Sequence, residues 1–507
     1  MVNLKKKKQQ KKERESRRQS YLATLNEEER ELYDAFVAEI KGHLDISKAQ
    51  NEAILADFHD ALYYYQNHNV PVSEAFRRLD PRQLGGFYMH EATAWYPLDN
   101  AAVIYPLSMK HNRMPMFRLS CYLKEEVSAE ILQMALLFTI KRFPAFATAV
   151  REGFFWHYLD SAKMRYTVQK EEGIPLEPIP VAFRYSQSFR VLYYQKRISV
   201  EFFHVLTDGS GGLVFLNTLV REYLTLLGKN IPLGEGLLDV NGLVDTAELE
   251  NEFANSALKE ESGGFTGKTA VQMSGRIASV APSQILHFDM DTAVLRKTAK
   301  QYGVSVTAYL LGMMFLAEKF ATEEADGEVH IQVPVNMRKF NHSRTLRNYA
   351  MYLSCNLTLK EITSLKDILP SISDQLKEKS SYEEMSVMMS TTIRLIRSVR
   401  FVPLAIKKPV MKLIYGYLGD AIFSNYLSNL GVVEVNEEMR ECIDYYDFVL
   451  GPSAVSRAAC ALISFKEHAR LSIIKSTADP SFEEKLAQLL SCDGIDVMVE
   501  GSGFYAG

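Results

Sequence analysis

The stretch "RISVEFFHVLTDGSGGLVFLNTLVREYLTLLG", residues 197–228, decides the fold. Side chains alternate along a strand, so Ile198, Val200, Phe202 and His204 share one face, and Ser199, Glu201 and Phe203 share the other. An ionisable imidazole therefore points where the apolar residues point. Asp208 follows four positions later, with Gly209, Gly211 and Gly212 supplying a tight turn and room for close backbone approach. Leu213, Leu216, Leu219, Val220, Tyr223 and Leu224 then recur at helical spacing, and Gly228 is the expected stop. The pattern predicts strand, turn and helix, with a histidine at the strand's end.

A histidine titrating near ~6.5 is the side chain best suited to accept a proton at neutral pH, and burial favours its neutral form. Asp208 is placed to orient the ring or brace the turn. On these residues alone a hydrogen-bonded, inert core histidine is the favoured reading.

Outward from the turn, "RVLYYQKRISVEFFHVL" predicts a hairpin, and "MFRLSCYLKEEVSAEILQMALLFTIKRFP" a strand followed by an amphipathic helix. Residues 1–18 include the basic run Lys5–Arg18 and are expected to be a disordered tail, with weak contact to an anionic membrane as its functional alternative. Residues 19–94 predict a helical extension, capped at Asn26 and apolar at Leu32, Phe36, Val37 and Ile40, which packs on its own protein or serves as a docking appendage. Residues 95–240 form a first lobe, 241–283 a polar linker, and 284–507 a second lobe in which strands and helices restart. The fold class is α+β: two lobes of mixed sheet and helix, plus the N-terminal extension.

The bulk numbers narrow the function. The chain has 507 residues, enough for more than one core, and a net charge of −4 gives no reason to expect nucleic acid. Its five cysteines, Cys121, Cys355, Cys442, Cys460 and Cys492, form no CxxC pair, so neither a zinc cage nor a disulfide framework is suggested. The start lacks an apolar signal-peptide core, and the uncharged stretch 301–317 falls short of a membrane span, so a reducing cytoplasm is the expected compartment. No HExxH, GxSxG or P-loop pattern is present, which disfavours metal catalysis, a serine hydrolase and a nucleotide phosphate site.

His204, Asp208 and Gly209 form an H-x-x-x-D-G motif between strand and helix. The motif resembles the signature of the CoA-dependent acyltransferase superfamily, which includes alcohol acetyltransferases, chloramphenicol acetyltransferase and the condensation domains of peptide synthetases. "VPVNMR" (333–338) resembles the strand end of the second lobe in condensation-like members, "SNLG" (428–431) their S-N-x-G segment, and "GVSVTAYLLGMMFLA" (303–317) the helix opening their second half. The resemblance covers about residues 95–507. Phe203 stands where condensation domains carry a further histidine, and the D-F-G-W-G segment of the plant enzymes is missing, which moves the expectation toward alcohol or amine acetylation.

The resemblance implies two chloramphenicol-acetyltransferase-like lobes meeting along a channel, with acyl-CoA, acetyl-CoA first, as co-substrate and no permanently bound cofactor or metal. It implies His204 as general base, Asp208 paired with Arg338, and Ser428 and Asn429 as oxyanion or pantetheine contacts. Asn336 and Asn348 are weaker candidates, and His111 a possible channel residue. The expected partners are a small alcohol or amine acceptor and acyl-CoA or an acyl carrier protein. The alternatives are a carrier-protein-dependent condensing enzyme and a catalytically silent homologue acting as a binding module.

Overall fold

The structure is a computed structural model that describes residues 2–89, 94–109, 113–180, 186–255, 259, 269–280, 282–414, 421–452 and 456–505. Its strands in chain order are β1 (Trp95–Pro97), β2 (Met116–Leu123), β3 (Thr148–Glu152), β4 (His157–Ser161), β5 (Val168–Lys170), β6 (Phe189–Tyr194), β7 (Arg197–Phe203), β8 (Gln284–Asp291), β9 (Glu328–Asn336), β10 (Ala350–Thr358), β11 (Asn425–Val432), β12 (Ile443–Leu450), β13 (Ala458–Phe465), β14 (His468–Lys475) and β15 (Met498–Gly501). They form a mixed five-stranded sheet, β12-β2-β7-β6-β5, a mixed seven-stranded sheet, β10-β9-β11-β13-β14-β8-β15, and a small sheet β1-β4-β3.

The five-stranded sheet has two unlike faces. On one, Phe202 and Phe189 meet Phe146 and Phe215, rings that belong to the covering helices and their connections. On the other, Arg118 bonds Glu171 at 2.7 Å, Glu201 at 3.1 Å and Ser199 at 2.8 Å. These buried charges are tolerated because each is paired. The alternation along β7 follows this division: Phe202 goes to the apolar layer, and Ser199 and Glu201 to the polar one.

The polar face turns toward the seven-stranded sheet. Strand β12 packs on β13 and β14, and its Asp447 accepts a hydrogen bond from Ser472 at 2.7 Å. β12 pairs antiparallel with β2, although it lies in the stretch 284–507 read as the second lobe. The two lobes thus exchange a strand, and a boundary placed by composition does not separate them. The far face of the seven-stranded sheet is covered by helices Val306–Ala321, Leu365–Lys379 and Ser481–Cys492.

Two further sequence expectations are revised, and of the two readings of the extension 19–94 the packing on its own protein holds. Val2–Thr24 is one helix rather than a disordered tail through residue 18. Arg14 bonds Asp60 at 2.8 Å and Arg17 meets Glu130 at 3.3 Å, so part of the basic run has fixed counter-charges. The extension 19–94 is no appendage: Phe58, Leu62 and Tyr65 are fully buried, Phe58 meets Phe138 edge-on, and Tyr65 donates to the Leu226 carbonyl at 2.7 Å. The stretch 241–283 is partly built into the body, where Glu248 pairs with buried Arg142 and Val271 and Met273 join the second core. Among the described residues no single helix is long and apolar enough to cross a membrane.

One buried charge lacks a countercharge at hydrogen-bond distance. Glu318, on the helix Val306–Ala321, is fully buried; its Oε1 accepts from Asn425 at 2.7 Å and its Oε2 has no partner. Burial pushes its pKa from 4.5 to about 8, so the folded state holds a proton that the unfolded state releases. Stability therefore falls as pH rises through that window, because the unfolded ensemble binds fewer protons. The variant Glu318→Gln is expected to match the parent's Tm at pH 5 and exceed it at pH 8; thermal melts at the two pH values check this, and equal differences at both would refute it.

Candidate active site

Strand β7 ends at Phe203, and His204 continues its ladder by donating its backbone N–H to the Pro115 carbonyl at 2.9 Å. Phe117 stacks on Phe202 at 5.2 Å and meets the His204 ring edge-on at 5.1 Å, so the two share a face. Tyr105 lies against the other side of the imidazole, with ring centroids 4.6 Å apart. His204 as a residue is half-buried. Burial lowers its pKa below the ordinary histidine value; the Asp208 charge and the Asn348 hydrogen bond oppose this without cancelling it. The neutral base is the resting form near pH 7.

The second half of the chain fixes which nitrogen is basic. Asn348 Oδ1 lies 2.9 Å from His204 Nδ1, and Asn348 Nδ2 donates to Asp99 Oδ2 at 3.3 Å. A carboxylate accepts, so the amide nitrogen turns to Asp99 and the amide oxygen to the imidazole. The oxygen then requires a proton on Nδ1, which leaves the lone pair on Nε2. Asp99 is itself fully buried, held by the Ala102 N–H at 2.8 Å and faced by Arg347 at 3.8 Å. Burial raises its pKa to about 6, against the opposing pull of Arg347.

Asp208 points away from the imidazole's basic edge. It caps the helix Gly209–Leu226 by accepting from the Gly211 N–H at 3.1 Å. Its other oxygen accepts from the Tyr349 N–H at 2.8 Å and from Arg338 Nη1 at 2.8 Å. Burial alone would raise its pKa; Arg338 and the two amides outweigh it and hold the carboxyl below its usual range. Arg338 is aimed by the Thr345 carbonyl at 2.8 Å and by Asn336 Oδ1 at 3.2 Å, and Asn336 reaches Ser210 at 3.1 Å. Thr207 donates to the Leu346 carbonyl at 2.6 Å. The segment 336–349 thus grips the whole turn.

The glycines are required by that grip. A Cβ on Gly211 would sit 2.3 Å from the Leu346 carbonyl oxygen, and one on Gly209 would meet Leu430 at 2.8 Å. Leu430 brings the end of β11 against the turn, with buried Ser428 two residues earlier on the strand. Asn429 is engaged elsewhere: its Nδ2 donates to Thr307 at 3.0 Å and its Oδ1 accepts from the Gly431 N–H at 2.8 Å, which holds the irregular end of β11. That engagement takes the amide oxygen and one of the two Nδ2 hydrogens of Asn429. Asn348, a weaker candidate in the sequence, is the hydrogen-bond partner of the imidazole. His111 lies outside the described residues. A cavity of about 360 Å³ lies away from this cluster, bordered by Glu125, Tyr223, Lys229, Glu438 and Cys442. It shares no residue with the His204 environment and brings no oriented base to its walls.

No family model matches the sequence. Two uncharacterized proteins of Mycobacterium tuberculosis, MT2362 and Rv2305, are each 26% identical to it over 271 residues, covering 51% of this chain and 61% of theirs. The chain thus spans about three fifths of the length of the curated relatives it matches. Among solved structures, the fold is similar to the first condensation domain of the calcium-dependent antibiotic synthetase, with a TM-score of 0.55 and 13% identity over 80% of this chain and 100% of that one. It is also similar to TRI3 trichothecene 15-O-acetyltransferase from Fusarium sporotrichioides, at 0.51 and 13% over 78% and 94%. Polyketide synthase associated protein 5 from Mycobacterium tuberculosis gives 0.52 and 11% over 79% and 98%.

Two outcomes are expected from the site's geometry. Asn348→Ala should release the tautomer, so that nitrogen NMR of labelled histidine shifts from one protonated Nδ1 toward a mixture at His204; an unchanged spectrum would refute the assignment. Arg338→Met strands the Asp208 carboxylate and should cost about 3 kcal/mol in urea unfolding; a loss below about 1 kcal/mol would mean the latch is idle.

Proposed function

We propose that this chain, which has the two-lobed fold of acetyltransferases and condensation domains, is an acyltransferase that uses His204 as general base. The donor is a thioester, acyl-CoA and acetyl-CoA first, and the acceptor is a small alcohol or amine. One observation carries the proposal: an uncharged imidazole, oriented by Asn348 and Asp99 so that Nε2 is its basic edge, lies where both halves of the chain meet.

The acceptor's O–H or N–H donates to Nε2. As the acceptor atom bonds to the thioester carbonyl carbon, its proton passes to that nitrogen. The tetrahedral adduct then breaks its C–S bond, and the proton moves from Nε2 to the leaving sulfur. An ester or amide and a free thiol result, and the imidazole is neutral again. Base catalysis of this kind contributes about 10²–10⁴-fold, or roughly 3–5 kcal/mol of barrier. Holding donor and acceptor together between the lobes must supply much of the rest. Asp208 has no part in the proton transfer: its oxygens are occupied by Arg338, Tyr349 and Gly211. Ser428, buried on β11 two residues before Leu430, which meets the turn, is the proposed hydroxyl donor to the oxyanion.

The likeness to condensation domains favours a second donor, an acyl carrier protein whose thioester is attacked in the same way. The chemistry at His204 is unchanged; only the leaving thiol differs.

Thiol release separates the readings. Purified protein is incubated with acetyl-CoA or longer acyl-CoA and a panel of alcohols and amines, then with acylated carrier. The expected result is turnover with acyl-CoA that falls about 10²–10⁴-fold in His204→Ala with the fold intact. Release from acylated carrier alone selects the second donor. Binding of acyl-CoA without release from either donor would sink the enzyme reading and leave a binding module.

The pH profile gives a further expected outcome. The catalytic form is the neutral ring, and its pKa lies below the ordinary ~6.5. The kcat/KM curve should therefore stay flat through neutrality and fall only on the acid side of about 6.5. An acid limb centred well above that value would refute a depressed His204 as the base.

A further inference from the structure

An exposed aromatic and cationic face lies one helix away from the imidazole. The turn between β3 and β4 carries Phe154 and Phe155, and Phe401 lies beside them in the loop before the helix Leu404–Ile414. Phe154 is 72% exposed and Phe401 is 71% exposed, too much for rings packed on their own protein. The rings touch in series, with centroids 4.8 Å apart from Phe154 to Phe155 and 6.2 Å from Phe155 to Phe401. Ile406 and Val410 are exposed one turn apart on the following helix.

The patch is clamped. The Leu404 N–H donates to the Phe154 carbonyl at 2.8 Å, and the Lys407 ammonium donates to the Phe155 carbonyl at 2.9 Å while lying 3.2 Å over the Trp156 ring. Its charge is predominantly positive, with Glu152 at the end of β3 paired to Lys408. Residues 385–410 contain Arg394, Arg397, Arg400, Lys407 and Lys408 and no Asp or Glu, in a chain whose net charge is −4. Arg397 and Arg400 are exposed, and the Arg400 guanidinium sits 4.4 Å over Phe401. The helix Leu404–Ile414 also packs on the short helix Tyr105–Ser108, whose Tyr105 ring covers His204.

We propose that this face docks the protein on an anionic lipid bilayer. Phe154 and Phe401 enter the boundary between headgroups and acyl chains, while Arg397 and Arg400 meet the lipid phosphates and carboxylates. Projecting rings at a turn tip, rimmed by cations, suit a fluid apolar layer under a negative surface. Through the contact at Tyr105, docking brings the surroundings of His204 near the bilayer, so the substrate it meets there is a lipid-dissolved alcohol, amine or acyl chain. That last clause rests on the acyl-transfer reading; the docking does not.

The test is sedimentation of the full chain with phosphatidylcholine vesicles, with and without about 30% phosphatidylserine. The expected result is pelleting with the anionic vesicles only, weakened by salt, and reduced about tenfold in Phe154→Ser/Phe401→Ser and in Arg397→Glu/Arg400→Glu with unchanged circular dichroism. His204→Ala should pellet as the parent does, which keeps this result separate from any failure of the acyl-transfer assay. The proposal is overturned if the parent stays in the supernatant, or if both double variants pellet like it. It is equally overturned if binding vanishes only when the lysines at 5–8 are replaced by Gln, since the N-terminal helix would then be the contact. If the double variants lose only transfer from an acyl carrier protein, and the parent ignores vesicles, the face belongs to that protein and not to a membrane.

Discussion

The Asp208 carboxylate is the tie on which the site depends. It is buried, charged, and shared between the two halves of the chain: one oxygen caps the helix that follows the turn, the other receives Arg338 and the Tyr349 amide. A buried carboxylate is costly unless every lone pair has a donor. Here two of the three donors, Arg338 and the Tyr349 amide, come from more than a hundred residues away, so satisfying the charge and closing the lobes are one event. The same closure brings Asn348, the residue before Tyr349, to the imidazole. A carboxylate with no hydrogen bond to spare thereby determines where the imidazole sits.

The relay Asp99–Asn348–His204 follows from that closure and uses neutral parts for its contact with the ring. A carboxylate placed directly on Nδ1 would raise the imidazole's pKa and hold it charged. An amide oxygen fixes the same tautomer with much less electrostatic pull, and burial then keeps the ring neutral. The charge is moved one residue further out, to Asp99, where Arg347 faces it. The arrangement orients the imidazole and leaves it neutral.

The strand, turn and helix around His204 were legible because each obeys a local period: two along β7, and near 3.6 from Leu213 onward. The hairpin of β6 and β7 and the late pair β13–β14 read for the same reason. What was not legible is non-local. Asn348 and Asp99 are 249 positions apart, and nothing in "TLRNYAM" or "YPLDNAA" marks them as partners. Ser428 and Asn429 look equivalent in sequence, yet the irregular end of β11 turns the Asn429 amide to Thr307 and Gly431. The basic N-terminal run read as tail because its counter-charges, Asp57, Asp60 and Glu130, lie on other elements. Composition drew the lobe boundary between residues 241 and 283, and the pairing of β12 with β2 crosses it.

That crossing also explains why the extension at residues 19–94 is part of the body. The five-stranded sheet spends its polar face on the second lobe, so only its apolar face and covering helices remain to build a core. Those helices, Ala129–Thr139 and Gly209–Leu226, are buried on nearly every side, which a two-layer lobe cannot provide. The helix Lys48–Asn67 supplies the third layer, setting Phe58 against Phe138 and tying Tyr65 to the last turn of the helix Gly209–Leu226. The end of that helix is therefore fixed by the extension and its beginning by Asp208. The turn between β7 and this helix, with His204 in it, is held between two anchors that neither lobe provides alone.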